Sequence, residues 1–300
     1  MRADLFLVEN GFATTRSQAQ RLIADGVEWL NLQTWKRVGK NGDDVPESAD
    51  IRLLDDSEAR YVSRGGLKLE AALKHARLSV VGLRCLDVGQ STGGFTDCLL
   101  KSGAQSVVGV DVGSAQLHPS LREDPRVLCV ESVNARTLTA ADLIAAYAGS
   151  TGVDGQFDLE NEEGNFNAEM DELDDDGIHT MLVSGALAPS AELPVEFAPE
   201  FDLVVGDLSF ISQTLVLPAV VPMLKPGGVL LTLVKPQFEL QPGQVGKGGI
   251  VRDPAMYAIV EQRLRDACAD LGLSVTAWFD SPIAGGDGNR EFFICAIKKG

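Results

Sequence analysis

Leu86-Asp87-Val88-Gly89-Gln90-Ser91-Thr92-Gly93-Gly94-Phe95 leaves an apolar segment, passes through a glycine-rich turn and enters a second apolar stretch. Arg84 to Val88 reads as a buried strand and Phe95 to Ser102 as a helix, so the stretch is a strand-turn-helix junction. Gly89, Gly93 and Gly94 lack a Cβ, which lets the backbone turn tightly and approach a ligand closely. Outward from this junction the alternation repeats. Ser106 to Val112, Arg126 to Glu131, Phe201 to Asp207 and Val229 to Lys235 read as further strands. Buried strands alternating with crossover helices specify an α/β fold with a mostly parallel, doubly wound sheet. Pro222 and Leu224 to Gly228 carry helix-stop signals ahead of the fifth strand. Pro254 to Leu271 reads as the last long helix, with Leu273 to Asp280 and Arg290 to Ile297 as closing strands.

In an open parallel sheet, ligands collect beyond the C-terminal strand ends, where the strand order reverses. The segment Asp87 to Phe95 holds that position after the first strand, and Ser91 and Phe95 belong to the same turn. Gly109-Val110-Asp111 then ends the second strand with an acid about twenty residues on, suited to bonding the two hydroxyls of an adenosine ribose. That spacing fits NAD or S-adenosylmethionine. Two features argue against a dinucleotide. The loop is Gly-x-x-x-Gly-Gly rather than Gly-x-Gly-x-x-Gly, and Asp87 ends the strand just before it, where an acid suits the cationic amino acid end of S-adenosylmethionine. Asn134, after the third strand, is placed either to read an adenine edge or to close a turn with its own backbone.

The net charge of −17 is unusual for a protein that handles RNA, whose phosphates need cations. The excess is local. Val153 to Glu200 holds 14 Asp or Glu and no Lys or Arg, leaving 29 acids against 26 bases elsewhere. Within it, about 155–189 reads as an exposed, mobile insertion between the third and fourth strands. Five cysteines without a Cys-x-x-Cys pair fit small core residues in a reduced cytoplasm, with no metal site. No secretory signal is expected behind Met1-Arg2-Ala3-Asp4. No apolar run approaches the roughly 20 residues of a spanning helix.

The first sixty residues read as a small α+β module. Asp4 to Glu9 is amphipathic, Thr15-Arg16-Ser17-Gln18 matches a capping box, and Ala19, Leu22 and Ile23 follow at helical spacing up to Gly26. Val27 to Asn31 and Asp50 to Leu54 read as strands, with Lys36-Arg37-Val38-Gly39 as a basic turn. Arg2, Asp4, Gly11, Thr15-Arg16, Ala19, Ile23, Gly26 and Asn31 resemble the pattern of the S4 RNA-binding domain. The resemblance implies that the second helix and the following turn face RNA, which assigns Arg16, Arg21, Lys36, Arg37 and Lys40, along with Arg2 and Arg64, to phosphates. Gly65 and Gly66 break regular structure at the joint, and Leu67 to Leu78 suits a helix docking on the next domain. The boundary falls near residue 60.

Five longer motifs follow in order: Tyr61-Val62-Ser63-Arg64-Gly65-Gly66-Leu67-Lys68-Leu69-Glu70, Asp87 to Asp97, Asp207-Leu208-Ser209-Phe210-Ile211-Ser212, Val234-Lys235-Pro236-Gln237-Phe238-Glu239, and Gly246 to Asp253. Together they resemble the TlyA family, often labelled hemolysin A, which pairs an S4 domain with an FtsJ-like methyltransferase domain. The resemblance implies a class I, Rossmann-like S-adenosylmethionine methyltransferase over 61–300 and an S4-like domain over 1–60. Its implied activity is 2′-O-methylation of ribosomal RNA, on cytidine, with ribosomal RNA or subunits as partner. It also implies a Lys-Asp-Lys-Glu tetrad, which falls on Lys68, Asp207, Lys235 and Glu291; the last rests on the shorter motif Gly288-Asn289-Arg290-Glu291-Phe292.

The chemistry explains such a set. A ribose hydroxyl must lose its proton as it attacks a sulfonium methyl in line, and a positioned base assists. Lys235 is the candidate base. A lysine serves as a base only when neutral, a state that burial or a second cation such as Lys68 favours. Held charged, it would instead orient the hydroxyl and stabilise developing negative charge. Phe210 and Phe238 lie beside the set and suit either stacking on a target base or plain core packing. The glycine-rich Gly243 to Gly249, with Lys247 and Arg252, suits a substrate lid or a flexible loop. Three rival readings are a membrane-active hemolysin, a ribosome-binding protein without catalysis and a small-molecule methyltransferase, the last disfavoured by the S4-like module.

Overall fold

The computed structural model describes residues 1–54, 59–151, 197–283 and 288–300. The acidic insertion expected at about 155–189 lies outside the described residues.

The N-terminal part packs α1 (Ala3–Glu9) and α2 (Arg16–Gly26) on an antiparallel sheet of β1 (Val27–Asn31), β2 (Thr34–Arg37) and β3 (Ile51–Leu53), in the order β2-β1-β3. Phe6 and Leu7 of α1 and Ala19, Leu22 and Ile23 of α2 share one core with Val27. The expected capping box is half formed. The Thr15 hydroxyl accepts from the Gln18 N–H at 3.2 Å, but the Gln18 side-chain oxygen accepts from the Thr14 N–H at 2.7 Å, one residue short of the helix cap. Lys36 and Arg37, expected in a turn, lie in β2. The turn is Leu32-Gln33, with Leu32 at φ 58°, a conformation its side chain gives no hint of.

α3 (Arg64–Ala76) opens the larger part. Gly65 and Gly66, expected to break regular structure, form its first turn. Packing explains them, since a Cβ on Gly66 would lie 2.3 Å from the Tyr61 ring. Then follow β4 (Arg84–Val88), α4 (Gly94–Lys101), β5 (Ser106–Val110), α5 (Pro119–Arg122), β6 (Val127–Val130), α6 (Ala140–Thr151) and β7 (Phe201–Asp207). The chain closes with α7 (Leu217–Val220), β8 (Leu224–Val234), α8 (Pro236–Glu239), α9 (Ala255–Asp270), β9 (Leu273–Asp280) and β10 (Phe292–Lys298). Among the described residues these strands make one sheet, β6-β5-β4-β7-β8-β10-β9, in which β10 alone runs antiparallel to its neighbours. This α/β, Rossmann-like sheet differs from the dinucleotide-binding order, where the sixth strand follows the fifth directly.

β8 starts earlier than its apolar run. Phe201 pairs with Leu224 and Leu203 with Val229, so Lys225-Pro226-Gly227-Gly228 bulges out of the ladder instead of ending a helix. Both faces of the sheet are buried, and the strand residues divide between them by alternation. Leu86, Val88, Val108, Val204 and Leu230 pack with Leu217 of α7 and Leu264 of α9. Cys85, Leu203, Val205, Leu231, Leu233 and Phe293 pack beneath Leu69 and Leu73 of α3 and Leu99 of α4. After β4 the chain builds β5 and β6 on one side and returns to β7 on the other, which opens a crevice at the ends of β4 and β7.

Candidate active site

The crevice holds two adjoining chambers. The larger, about 550 Å³, is lined by Gly89, Ser91, Asp111, Gln116, Asn134 and Asp207, with apolar walls from Val112, Val133, Leu208 and Ile211. Gly89 sits at φ 84°, and a Cβ there would lie 2.9 Å from the Asp207 carbonyl oxygen, so the turn after β4 and the end of β7 touch through a position only glycine fills. The Asp111 carboxylate accepts from the Ser91 N–H at 2.8 Å on one oxygen and from the Gly113 N–H at 2.7 Å on the other. These bonds fix its plane and leave each oxygen a second lone pair. Asn134 lines the chamber while its Oδ1 accepts from the Arg136 N–H at 3.0 Å, so it is a turn residue and a wall residue at once.

The smaller chamber, about 170 Å³, is lined by Ser63, Gln90, Phe95, Asp207, Ser209 and Lys235, among others that include Gly89, Ser91 and Gly94. Gly93 lines neither chamber. Its left-handed turn, φ 94°, leads into α4, and a Cβ would strike Leu121 at 2.4 Å. Asp87, expected to face the amino acid end of a cofactor, is fully buried and lines neither chamber. It shares the sheet face of Cys85, so it points under α4. There Thr96 Oγ1 donates to its Oδ2 at 2.7 Å and receives Gln90 Nε2 at 2.9 Å. Burial pushes the Asp87 carboxyl up to about 7 against the Thr96 bond, with the Asp207 and Asp111 charges adding to the rise.

Lys68, Asp207, Lys235 and Glu291 come to this edge as two ion pairs. Asp207 ends β7 and Lys235 follows β8, and both continue the alternation that puts Val205 and Leu233 under α3. β10 pairs Phe292 with Val234, so the antiparallel register carries Glu291 opposite Lys235. Lys68 descends from α3 onto that face, and its Nζ donates to Glu291 Oε2 at 2.5 Å; both residues are buried. Lys235 Nζ lies 2.6 Å from Asp207 Oδ1 and donates to Ser209 Oγ at 2.8 Å. The contact with Asp207 is ionic but poorly directed, and Asp207 Oδ1 has no hydrogen-bond partner among the described residues. Asp207 and Lys235 line the smaller chamber; Lys68 and Glu291 stand behind it.

The FtsJ-like methyltransferase profile matches residues 61–298. The chain belongs to the FtsJ-like methyltransferase family. Within it, the 16S/23S rRNA (cytidine-2′-O)-methyltransferase TlyA of Mycobacterium tuberculosis is 36% identical over 98% of this chain and 88% of its own. Hemolysin A of Brachyspira hyodysenteriae is 32% identical over 97% of this chain and 98% of its own. A candidate hemolysin from Streptococcus thermophilus, solved as a structure, superposes with a TM-score of 0.63 at 33% identity, covering 100% of this chain and 88% of that one.

The basic residues of the N-terminal part divide. Arg2 and Arg16 bracket the buried Asp4 carboxylate at 3.0 and 2.8 Å and hold it, Arg2 first, well below the usual carboxylate range. Their charges serve the fold as well as any ligand, which qualifies the expectation that they face RNA. Lys36, Arg37 and Lys40 are exposed and make no ion pair among the described residues, and Lys36 lies over the Trp29 ring at 5.6 Å. Arg21 is half-buried on α2, and Arg64 opens α3. The glycine-rich segment after β8 is stitched down: Asn289 Nδ2 donates to the Gly249 carbonyl at 2.9 Å and its Oδ1 accepts from the Val251 N–H at 3.0 Å. Sequence reasoning missed Ser63, Gln90, Gln116 and Ser209, each a lining residue. All but Gln116 lie inside motifs quoted for other residues.

Proposed function

We propose that this chain transfers the methyl group of S-adenosylmethionine to a ribose 2′-hydroxyl of ribosomal RNA, on cytidine as in the M. tuberculosis relative. The observation that carries the reading is the gathering of Lys235 and Asp207 on the wall of a chamber that adjoins an adenosine-sized cleft. The cleft suits the cofactor: Asp111 offers lone pairs to a ribose diol, Val112, Val133 and Ile211 offer apolar surface to an adenine, and the smaller chamber receives the sulfonium end. Bound there, the cofactor supplies an electrophilic methyl. The residues of the chain do the rest. Lys235, held at its Nζ by Asp207 and Ser209, would first release a proton to solvent; in its neutral form it would take the hydroxyl proton as the O–CH3 bond forms and the S–CH3 bond breaks, with S-adenosylhomocysteine leaving. Lys68 and Glu291 support that wall from behind.

Residues 1–60 serve in this reading as an S4-like RNA-binding domain, with Lys36, Arg37 and Lys40 meeting phosphates and Arg2, Arg16, Arg21 and Arg64 at its margins. Residues 61–300 are the catalytic domain, and the exposed Phe210 suits stacking on a displaced base. A cytoplasmic site of action follows from a ribosomal substrate. Among the described residues no helix is long and apolar enough to cross a membrane, and no three His, Cys, Asp or Glu side chains gather as a metal site. Labelled S-adenosylmethionine, incubated with ribosomal subunits from a strain lacking the protein, tests the reading. Label should appear on a ribose oxygen and vanish with Asp207→Ala; label on a base, or none from the unaltered chain, would sink it.

A further inference from the structure

The loops that follow β7 and β8 are tied together twice. At the tip, Lys235 reaches Asp207 and Ser209. Behind the tip, Glu239 of α8 is buried and accepts from Ser212 Oγ at 2.5 Å with one oxygen and from the Gln213 N–H at 2.8 Å with the other. Gln213 is anchored in turn to β8: its Nε2 donates to the Leu233 carbonyl at 2.7 Å, and its Oε1 accepts from Thr232 Oγ1 at 2.7 Å. Arg263 of α9 donates to the Glu239 carbonyl and fixes the far end. Between the two ties lies Phe210, at φ 64°, a left-handed conformation that a phenylalanine rarely takes. The residue is 89% exposed, and its ring leans on Phe238 with centroids 5.0 Å apart. Strained backbone persists only where its surroundings over-determine it. An exposed ring supplies little of that constraint, so the anchored ends of the segment must supply it.

We propose that Glu239 is a positioning residue, clamping Ser212-Gln213 so that Asp207 to Ser209 stays in register with Lys235 on the wall of the smaller chamber. This rests on the methyl-transfer reading. Glu239 lines neither chamber and so acts only through the loop it holds. A carboxylate suits the task because its two oxygens satisfy two donors of one turn, and burial strengthens both bonds. A side chain without acceptors leaves the Gln213 N–H unpaired and the Ser212 hydroxyl bonded to Thr214 alone, and the loop then opens more readily.

Glu239→Ala and Glu239→Gln in the full chain test the clamp by two readouts. In Glu239→Ala, amide hydrogen exchange over 209–213 should rise about tenfold or more while β4 and β5 keep their protection. Glu239→Gln retains one acceptor and should fall between. Methyl transfer to ribosomal subunits should lose roughly 100-fold in kcat in Glu239→Ala, with S-adenosylmethionine affinity, measured by calorimetry, held within about threefold. Glu239→Gln should recover most of that loss. Unchanged exchange over 209–213, acceleration spread equally over β4 and β5, or a kcat that ignores the local opening would each overturn the proposal. If the unaltered chain transfers no methyl, the functional reading fails by itself, and the exchange data still decide whether the clamp exists.

Discussion

Two lysine-carboxylate pairs stand at one edge of the sheet, and they differ in what surrounds them. Lys68 and Glu291, far apart in sequence, meet in a sealed space with side-chain exposures of 10% and 3% and a directed hydrogen bond. Lys235 and Asp207 meet at a chamber wall with 13% and 25%, in a contact that leaves a carboxylate oxygen without a hydrogen bond among the described residues. The same pair of residue types therefore does two jobs. A sealed pair is a fixed post, because neither charge tolerates loss of the other. A pair on a chamber wall, with its carboxylate a quarter exposed, can exchange partners with a substrate.

The sharpest way to break that distinction is to remove one lysine from the open pair. Lys235→Ala should lower methyl transfer by about 10²–10⁴, the usual range for a lost proton-transfer group. Its stability should fall less than that of Glu291→Ala, since Asp207, at 25% exposure, keeps contact with water that the Lys68 ammonium lacks once its partner is removed. A loss of folding as large as the loss of rate would erase the contrast. Glu291→Ala should do the reverse in kind: it leaves the Lys68 ammonium buried and unpaired, at a cost of about 3–5 kcal/mol read from denaturant unfolding. The double variant Lys68→Met, Glu291→Leu should regain most of that stability without regaining activity. If Glu291→Ala unfolds no more easily than Asp207→Ala, the two pairs are equivalent and the assignment of roles fails.

A third carboxylate extends the comparison, because Asp87 is sealed like Glu291 but has no cation. Its carboxyl is pushed up to about 7 in the folded chain from 3.8, so between those values the unfolded chain gives up a proton that the folded chain keeps. The stability this group contributes is complete at acid pH and declines as pH rises toward about 7. Asp87→Asn cannot titrate. The stability difference between the unaltered chain and Asp87→Asn should therefore shift against the unaltered chain from pH 4 to pH 8; a difference that stays flat would mean that Asp87 is charged and solvated.

Much of this was legible in the chain. The strand-turn-helix at Leu86 to Phe95 and the apolar strand runs fixed the parallel sheet, since a sheet covered on both faces demands such runs. The period of two also bears on Asp87: it shares its parity with Cys85, so it faces the covering helix and lines neither chamber. What stayed hidden depended on packing between distant segments. Gly65 and Gly66 read as breakers because nothing local reveals the Tyr61 ring over them. Lys225-Pro226-Gly227-Gly228 read as a helix stop because the pairing of Phe201 with Leu224 is set by the neighbouring strand. Thr96 and Gln90 lie within the quoted Asp87 to Asp97 motif with nothing to mark their role, which exists only once α4 folds over Asp87.

The smallest expected effect lies in the N-terminal part, where the contrast between committed and spare charge recurs. Arg2 and Arg16 are committed to Asp4, whereas Lys36, Arg37 and Lys40 make no ion pair among the described residues. A cation already bound to a carboxylate releases few counterions when a phosphate arrives; a solvated one releases its share. On the proposed RNA-binding role of residues 1–60, Arg37→Ala should therefore weaken RNA binding alike across sequences and lower the slope of log affinity against log salt by roughly one contact. Arg16→Ala should move that slope less and stability more, because Asp4, with no exposed surface, is left to Arg2 alone. Equal slopes for the two variants would mean that Asp4 surrenders Arg16 when RNA binds, and the ion pair would then be a resting state of the binding surface instead of part of its frame.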